Sequence, residues 1–294
     1  MFRDLMKKMI AVLLMAIMLI PAVAFAETES AEDEWWNILL LGVDTRSAKN
    51  IEGRSDTIMI LSVNRETGEV KLTSILRDCW VKFPNGKSEK FNAGYVYGGA
   101  EMTMETVNEY FDLDIEHYAV ISMAKLVDVV DLVGGIDIEI TESERKYAND
   151  YVEDYLKNVG RYDGETYIAS SGMVHLNGLQ AVSYLRNRYT DSDFQRVMRN
   201  QNVLINVVKK AQEMDVAVLM ENVEVFTGCI ETNMTEEELM DLATLGLAAD
   251  IETIGQMRIP VDGSYESGTF DGTWMIRPNY EKNTEAIHEF IYGE

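Results

Sequence analysis

The chain has 294 residues, and its 50 acidic side chains outnumber the 26 basic ones to give a formal net charge of −24. This excess argues against nucleic acid as a partner, because affinity for a phosphate polymer comes mainly from neutralising its charge. Two cysteines, Cys79 and Cys229, are too few for a disulfide scaffold. They could pair in an oxidising compartment, but we expect two unpaired thiols in the core.

Residues 1–26 have the composition of an export segment. A short basic start precedes an apolar run from Met9 to Ile20, and Pro21 and then Ala24-Phe25-Ala26 follow. This order predicts a signal peptide cleaved near Ala26, although the 18 apolar residues from Met9 are also long enough for an uncleaved membrane anchor. In both cases we expect an extracytoplasmic protein, because the basic side precedes the apolar run.

An acidic, polar spacer is expected at residues 27–34, followed by one domain at residues 35–294. The continuous apolar run Trp35–Val43 predicts a strand buried on both faces. Residues 57–63 and 70–76 predict a hairpin beside it, because a turn-forming segment joins two β-rich runs. Apolar spacing then predicts helices at 100–111, 123–130, 177–185, 193–212, 216–227, 235–249 and from 279, and strands at 117–121, 136–140 and 256–261.

Residues 141–171 are polar, rich in tyrosine and without a clear period, so we expect a long loop there. Elsewhere strands alternate with helices. That alternation predicts an α/β fold, a three-layer α/β/α sandwich around a mixed central sheet.

Charged side chains recur where the predicted strands end. Asp44 follows the first strand, Arg54 and Asp56 precede the second, and Arg77 follows the third. If the hairpin reverses direction, these positions meet at one edge of the sheet, where open α/β sheets bind ligands. Arg54 and Asp56 alternate with Ser55 along an extended segment, so both should point the same way.

A second basic group lies between residues 186 and 199, with four arginines in 14 residues. These side chains could form a solvated surface paired with nearby aspartates. Arginine also grips phosphate oxygens in a bidentate manner. Carboxylates among such arginines either orient the guanidinium groups or hold a divalent cation that also contacts phosphate.

Six ordered motifs make the sequence recognisable: LLLGVDTR, GRSDTIMILSVN, SILRD, KFNAGYVYGG, VDLVGGI and LNGLQAVSYLRNRYTDSDFQRVMRNQ. They resemble, in order and spacing, the motifs of the LytR-CpsA-Psr family over about residues 35–213. The resemblance implies an extracytoplasmic phosphotransferase that moves a polymer from undecaprenyl pyrophosphate onto peptidoglycan. It also implies that magnesium bridges the pyrophosphate.

By position, the resemblance implies that Asp44 and Asp56 hold Mg2+ and that Asp44, Asp56, Arg77 and Asp193 are catalytic. The expected pyrophosphate-binding residues are Arg54, Arg77, Lys90, Arg186, Arg188 and Arg196. The chain departs from the family pattern at Leu76, where proline is usual, and at Asn200, where glutamine is usual.

Several alternatives stay open at the level of sequence. A non-catalytic binder of polyprenyl phosphate or wall polymer, acting as a sensor, would keep the arginines but would not need the Asp44 and Asp56 pair. The polymer could be a teichoic acid, a capsule or another wall glycan, and the expected setting is the outer face of the membrane. The carrier's lipid tail requires an apolar tunnel. Residues of the helices at 123–130 and 193–212 could line that tunnel or simply fill the core.

Overall fold

The computed structural model describes residues 34–45, 51–159, 165–187 and 193–293. Its strands are β1 (Trp35–Val43), β2 (Ser55–Asn64), β3 (Val70–Ile75), β4 (Trp80–Lys82), β5 (Ser88–Lys90), β6 (His117–Ser122), β7 (Ile136–Ile140), β8 (Gly172–Leu176), β9 (Ile230–Thr232), β10 (Gly255–Ile259), β11 (Tyr265–Phe270) and β12 (Thr273–Pro278). Its α-helices are α1 (Gly94–Phe111), α2 (Met123–Leu132), α3 (Glu142–Val159), α4 (Gly178–Leu185), α5 (Asp193–Glu213), α6 (Val216–Thr227), α7 (Glu236–Ala248) and α8 (Tyr280–Tyr292).

Six strands form the central sheet in the order β10-β3-β2-β1-β6-β9. The sheet is mixed, because β1 runs antiparallel to β2 but parallel to β6. Side chains alternate between its faces: Leu39 and Leu41 join the core that contains residues of α1 and α8, whereas Ile38 packs with Leu239 and Leu242 of α7. The predicted three-layer α/β/α arrangement and the hairpin of β2 and β3 are therefore confirmed.

The prediction of a long loop at 141–171 is wrong, because α3 occupies residues 142–159. Thr141 and Glu144 form a capping box, in which the Thr141 hydroxyl accepts from the Glu144 amide and the Glu144 carboxylate accepts from the Thr141 amide. Ala148 and Val152, four residues apart, are fully buried. Because the apolar stripe on this charged helix is so narrow, the helical spacing of apolar residues is only weakly visible in the sequence.

The predicted strand at residues 136–140 forms, but it lies outside the central sheet. It is β7, and it pairs with β8 in a separate two-stranded sheet. The nearby α4 begins after the N-cap Asn177 and packs closely on α2. A Cβ atom at Gly178 would lie 2.2 Å from the Val127 carbonyl oxygen, so only glycine permits this approach.

The proposed tunnel residues lie in the core of the protein. Met123 and Val127 pack with Val182, and Val130 belongs to the buried cluster around β7. Cys79 and Cys229 are buried and unpaired, which confirms the prediction of two free thiols. Within the described residues, no helix is long and apolar enough to cross a membrane, and residues 1–26 lie outside them.

Candidate functional site

The antiparallel register of the sheet brings three chain segments together at one edge. The pairing of Val43 with Ser55, after an irregularity at Gly42, places the end of β1 beside the start of β2. The end of β3 lies next to β2 on its other side. The charged residues at these three positions therefore lie close together, as the sequence predicts.

Asp56 is the centre of this group of charges. Its Oδ2 atom pairs with Arg77 Nη1 at 2.8 Å and with Arg196 Nη2 at 3.0 Å, and its Oδ1 atom accepts from Asn92 Nδ2 at 3.3 Å. The Asp56 side chain is 7% exposed. Because a buried charge is costly to leave unpaired, the Asp56 carboxylate fixes the positions of the three side chains that donate to it.

Asp78 provides a second buried carboxylate next to Asp56. Its Oδ2 atom lies 3.3 Å from Arg77 Nε, and its Oδ1 atom lies 2.6 Å from Lys90 Nζ. Arg77 therefore bridges Asp56 and Asp78 with two different nitrogens. This arrangement uses the fork of the guanidinium group and fixes its orientation toward the cleft.

Arg54 faces the same space as Asp56, because both hydrogen-bond to Asn92. Arg54 Nη1 donates to Asn92 Oδ1 at 3.0 Å, and Arg54 Nη2 donates to Glu89 Oε1 at 2.5 Å. The intervening Ser55 is buried, which confirms the predicted alternation. Partial burial alone would raise the pKa of Glu89, but hydrogen bonds from Tyr97 and Arg54 outweigh it and hold that pKa below its ordinary value.

Asp44 and Arg186 close the other end of the site, with Arg186 Nη2 3.5 Å from Asp44 Oδ2. The Arg186 guanidinium also lies 5.6 Å from the ring centroid of Tyr151 on α3. The contribution of α3 was missed, because residues 141–171 were predicted to be a loop. Tyr151 therefore had no predicted position relative to Arg186.

These side chains surround an open cleft of about 490 Å³. Its lining residues are Asp44, Arg54, Asp56, Arg77, Asp78, Glu89, Lys90, Asn92 and Thr273. All nine are polar or charged, and acidic and basic side chains are both present among them. Such a surface suits a polyanion with several oxygen atoms, since each cation already has its direction set by a neighbouring carboxylate.

The model of the LytR_cpsA_psr family matches residues 21–289 of the chain. The chain belongs to the LytR-CpsA-Psr family. The polyisoprenyl-teichoic acid–peptidoglycan teichoic acid transferase TagU of Bacillus cereus is 31% identical over 254 residues, which cover 84% of this chain and 75% of TagU.

Two solved structures show the same fold. The crystal structure of B. subtilis TagV matches with a TM-score of 0.68 and 24% identity, over 88% of this chain and 97% of TagV. The LytR-CPS2A-psr family protein YwtF (TagT) with bound octaprenyl pyrophosphate lipid matches with a TM-score of 0.66 and 18% identity, over 91% of this chain and 94% of that chain.

Within this LytR-CpsA-Psr chain, the structure brings together seven of the predicted site residues: Asp44, Arg54, Asp56, Arg77, Lys90, Arg186 and Arg196. Arg188 and the side chain of Asp193 lie outside the described residues, so their predicted roles stay predictions. Sequence reasoning missed two contacts of Arg54, namely Glu89 and Asn92, and assigned no role to Asp78, which follows Arg77. Their proximity to Arg77 and to Lys90 in the motifs SILRD and KFNAGYVYGG was the available signal.

The two residues that depart from the family pattern, Leu76 and Asn200, line a small pocket together with Asp56 and Arg196. Gln201, one position after Asn200, donates to the Leu72 and Met257 carbonyl oxygens and to the Ser74 hydroxyl, so it fastens α5 to the sheet. Arg199 is buried and donates to the Asn187 carbonyl oxygen at 3.0 Å. These contacts hold α5 so that Arg196 reaches Asp56.

Proposed function

We propose that this protein is an extracytoplasmic phosphotransferase that moves a glycan-phosphate polymer from undecaprenyl pyrophosphate to peptidoglycan. The observation that carries the proposal is the cleft in which Asp56 and Asp78 orient Arg77 and Lys90 toward one space, with Arg196 paired to Asp56 beside it. The resemblance to TagU supports the choice of a teichoic acid as donor polymer and of peptidoglycan as acceptor. The TagT structure with octaprenyl pyrophosphate supports a polyprenyl carrier.

The arginines match what this chemistry requires. Phosphoryl transfer needs little covalent help and much positioning and charge stabilisation. In the proposed reaction an acceptor hydroxyl attacks the glycan-linked phosphorus, a new P–O bond forms, and the P–O bond to the carrier phosphate breaks, so that undecaprenyl phosphate leaves. Arg77, Arg186 and Arg196 bind the non-bridging phosphoryl oxygens so that the attacking and leaving oxygens lie in line, and a cleft carboxylate takes the proton of the hydroxyl.

We further propose that Asp44 and Asp56 take part in holding Mg2+. Both residues line the cleft and offer hard oxygen atoms. No group of three or more metal-ligating side chains occurs among the described residues. The pair of carboxylates of Asp44 and Asp56 fits Mg2+, which is commonly bound through one or two carboxylates together with substrate phosphates and water. When bound, the ion would neutralise charge on the phosphoryl oxygens.

The test replaces Asp56 by asparagine and measures transfer of a labelled glycan phosphate to a peptidoglycan acceptor. An amide still accepts one hydrogen bond through its oxygen, so binding of polyprenyl pyrophosphate should stay within about tenfold of wild type. Transfer should fall by at least about a hundredfold, the scale set by losing a group that stabilises transition-state charge. EDTA should produce a similar loss of transfer in the wild-type protein.

Asp137→Asn is the matched control, because Asp137 also pairs with a basic side chain, Lys210, but does not line the cleft. This variant should transfer at the wild-type rate. Transfer that persists in EDTA would refute the magnesium assignment, and undiminished transfer by Asp56→Asn would refute the role of Asp56. A wild-type protein that binds the lipid yet transfers to no acceptor would support the sensor instead.

A further inference from the structure

An exposed tryptophan lies at the rim of the polar cleft. Trp274 follows Thr273, which lines the cleft, near the start of β12. The ring centroid of Trp274 lies 5.5 Å from Nζ of Lys90, and 43% of the residue is exposed. A large apolar ring thus stands beside the ammonium group that pairs with Asp78.

The backbone that carries this ring is held by the buried residues that follow it on β12. Met275 and Ile276 are each 2% exposed. The Ile276 amide donates to the Asp78 carbonyl oxygen at 3.0 Å, and Ile276 forms a bridge with Cys79. The hairpin of β11 and β12 is therefore joined to the segment that carries Arg77 and Asp78. The backbone that carries Trp274 is thus held in place, which lowers the entropic cost of binding a ligand there.

The chemistry of the cleft limits what covers this ring. The nine residues that line the cleft are all polar or charged, so a hydrocarbon chain there would displace water from them without giving them new hydrogen-bond partners. A sugar ring fits both the indole ring and the polar cleft, because one face of a pyranose presents C–H groups and its edge presents hydroxyls. Trp274 offers a broad apolar face, and Thr269, its partner across the hairpin, and Thr273 offer hydroxyl groups.

We propose that Trp274 is the platform for the sugar ring that is attached to the pyrophosphate of the donor. The inference rests on the proposed function and deepens it, because it names the residue that senses the first sugar. A phosphate held near Lys90 places the group bonded to it within reach of the indole ring. Trp274 therefore makes the protein prefer a glycosylated pyrophosphate to the bare lipid pyrophosphate.

The test measures binding of two ligands to the full chain in detergent by calorimetry. One ligand is polyprenyl pyrophosphate, and the other is the same lipid carrying a single N-acetylhexosamine. Wild type should bind the glycosylated ligand about threefold to tenfold more tightly, the range expected for one aromatic contact. Trp274→Ala should abolish this difference between the ligands, and Trp274→Phe should keep most of it.

The ratio of the two affinities is the decisive readout, because a disturbed Lys90 would weaken both ligands equally. Tyr167→Ala is the matched control, since Tyr167 is another exposed aromatic residue but does not line the cleft, and it should keep the wild-type ratio. A Trp274→Ala variant that keeps the wild-type ratio would overturn the inference alone. If wild type binds neither ligand, the proposed function fails as well.

Discussion

Replacing Arg77 by lysine tests the geometry of the cleft while the charge is kept. Arg77 reaches Asp56 through Nη1 and Asp78 through Nε. Lysine offers one compact ammonium group in place of a planar fork, so it cannot meet the two carboxylates through separate nitrogens or hold two phosphate oxygens side by side. We therefore expect weaker binding of pyrophosphate by a protein that is still folded.

The size of the loss in pyrophosphate affinity follows from the contacts that Asp56 and Asp78 keep in the Arg77→Lys variant. Asp56 keeps Arg196 at 3.0 Å, and Asp78 keeps Lys90 at 2.6 Å, so neither buried carboxylate is left without a cation. The loss is then one hydrogen bond to a charged group, about 1.5–3 kcal/mol. Since the Arg77 side chain is 21% exposed, the lower half of that range applies. About 1.5–2 kcal/mol corresponds to binding that is roughly tenfold to thirtyfold weaker.

Calorimetric titration with inorganic pyrophosphate in the presence of Mg2+ measures this loss. Arg145→Lys is the matched control, because Arg145 also uses two nitrogens, Nε and Nη2, to pair with one carboxylate, that of Glu142 on the exposed start of α3. It should bind pyrophosphate as wild type does. Unchanged affinity in Arg77→Lys, or an equal loss in Arg145→Lys, would refute the reasoning.

Two further predictions concern the fold and its response to pH. Gly178→Ala should destabilise the protein by about 1–3 kcal/mol, because the added methyl group meets the backbone of α2. Gly246→Ala is the control, because a methyl group at Gly246 of α7 meets open space, and it should be neutral or stabilising. Thermal unfolding measures both variants. Hydrogen bonds from Tyr97 and Arg54 hold the pKa of Glu89 below its ordinary value of 4.5, so these contacts stabilise the protein fully above pH 4.5 and less as pH falls through the lowered pKa. The difference in Tm between wild type and Glu89→Gln should therefore shrink on acidification, and a difference that is constant with pH would contradict this.

The sequence was sufficient to predict the sheet edge because that part of the site depends on local patterns. A continuous apolar run predicts β1, and a hairpin places the end of β3 beside the start of β2. The period of two along a strand then directs Arg54 and Asp56 to one side. Each step needs only neighbouring residues and the handful of ways in which short connections join strands.

The parts that were not predicted depend on contacts between distant segments. Trp274 reaches Lys90 across 184 positions of the chain, and nothing near either residue indicates the other. The helix α3 carries only a narrow buried stripe, so the capping box at Thr141 was a better signal than hydrophobic period. The hairpin of β11 and β12 has short, half-exposed strands, which give a weak pattern.

The balance of charge in the cleft explains why so acidic a chain keeps these arginines and why a divalent cation suits the proposed reaction. Among the described residues, four carboxylates line the cleft, and five cationic side chains line it or pair with those carboxylates. The empty cleft is thus close to neutral, so the arginines are oriented without strong mutual repulsion. A bound pyrophosphate diester adds about two negative charges, and the carboxylates then oppose it. One Mg2+ restores the balance, so loss of the metal should slow transfer more than it weakens binding.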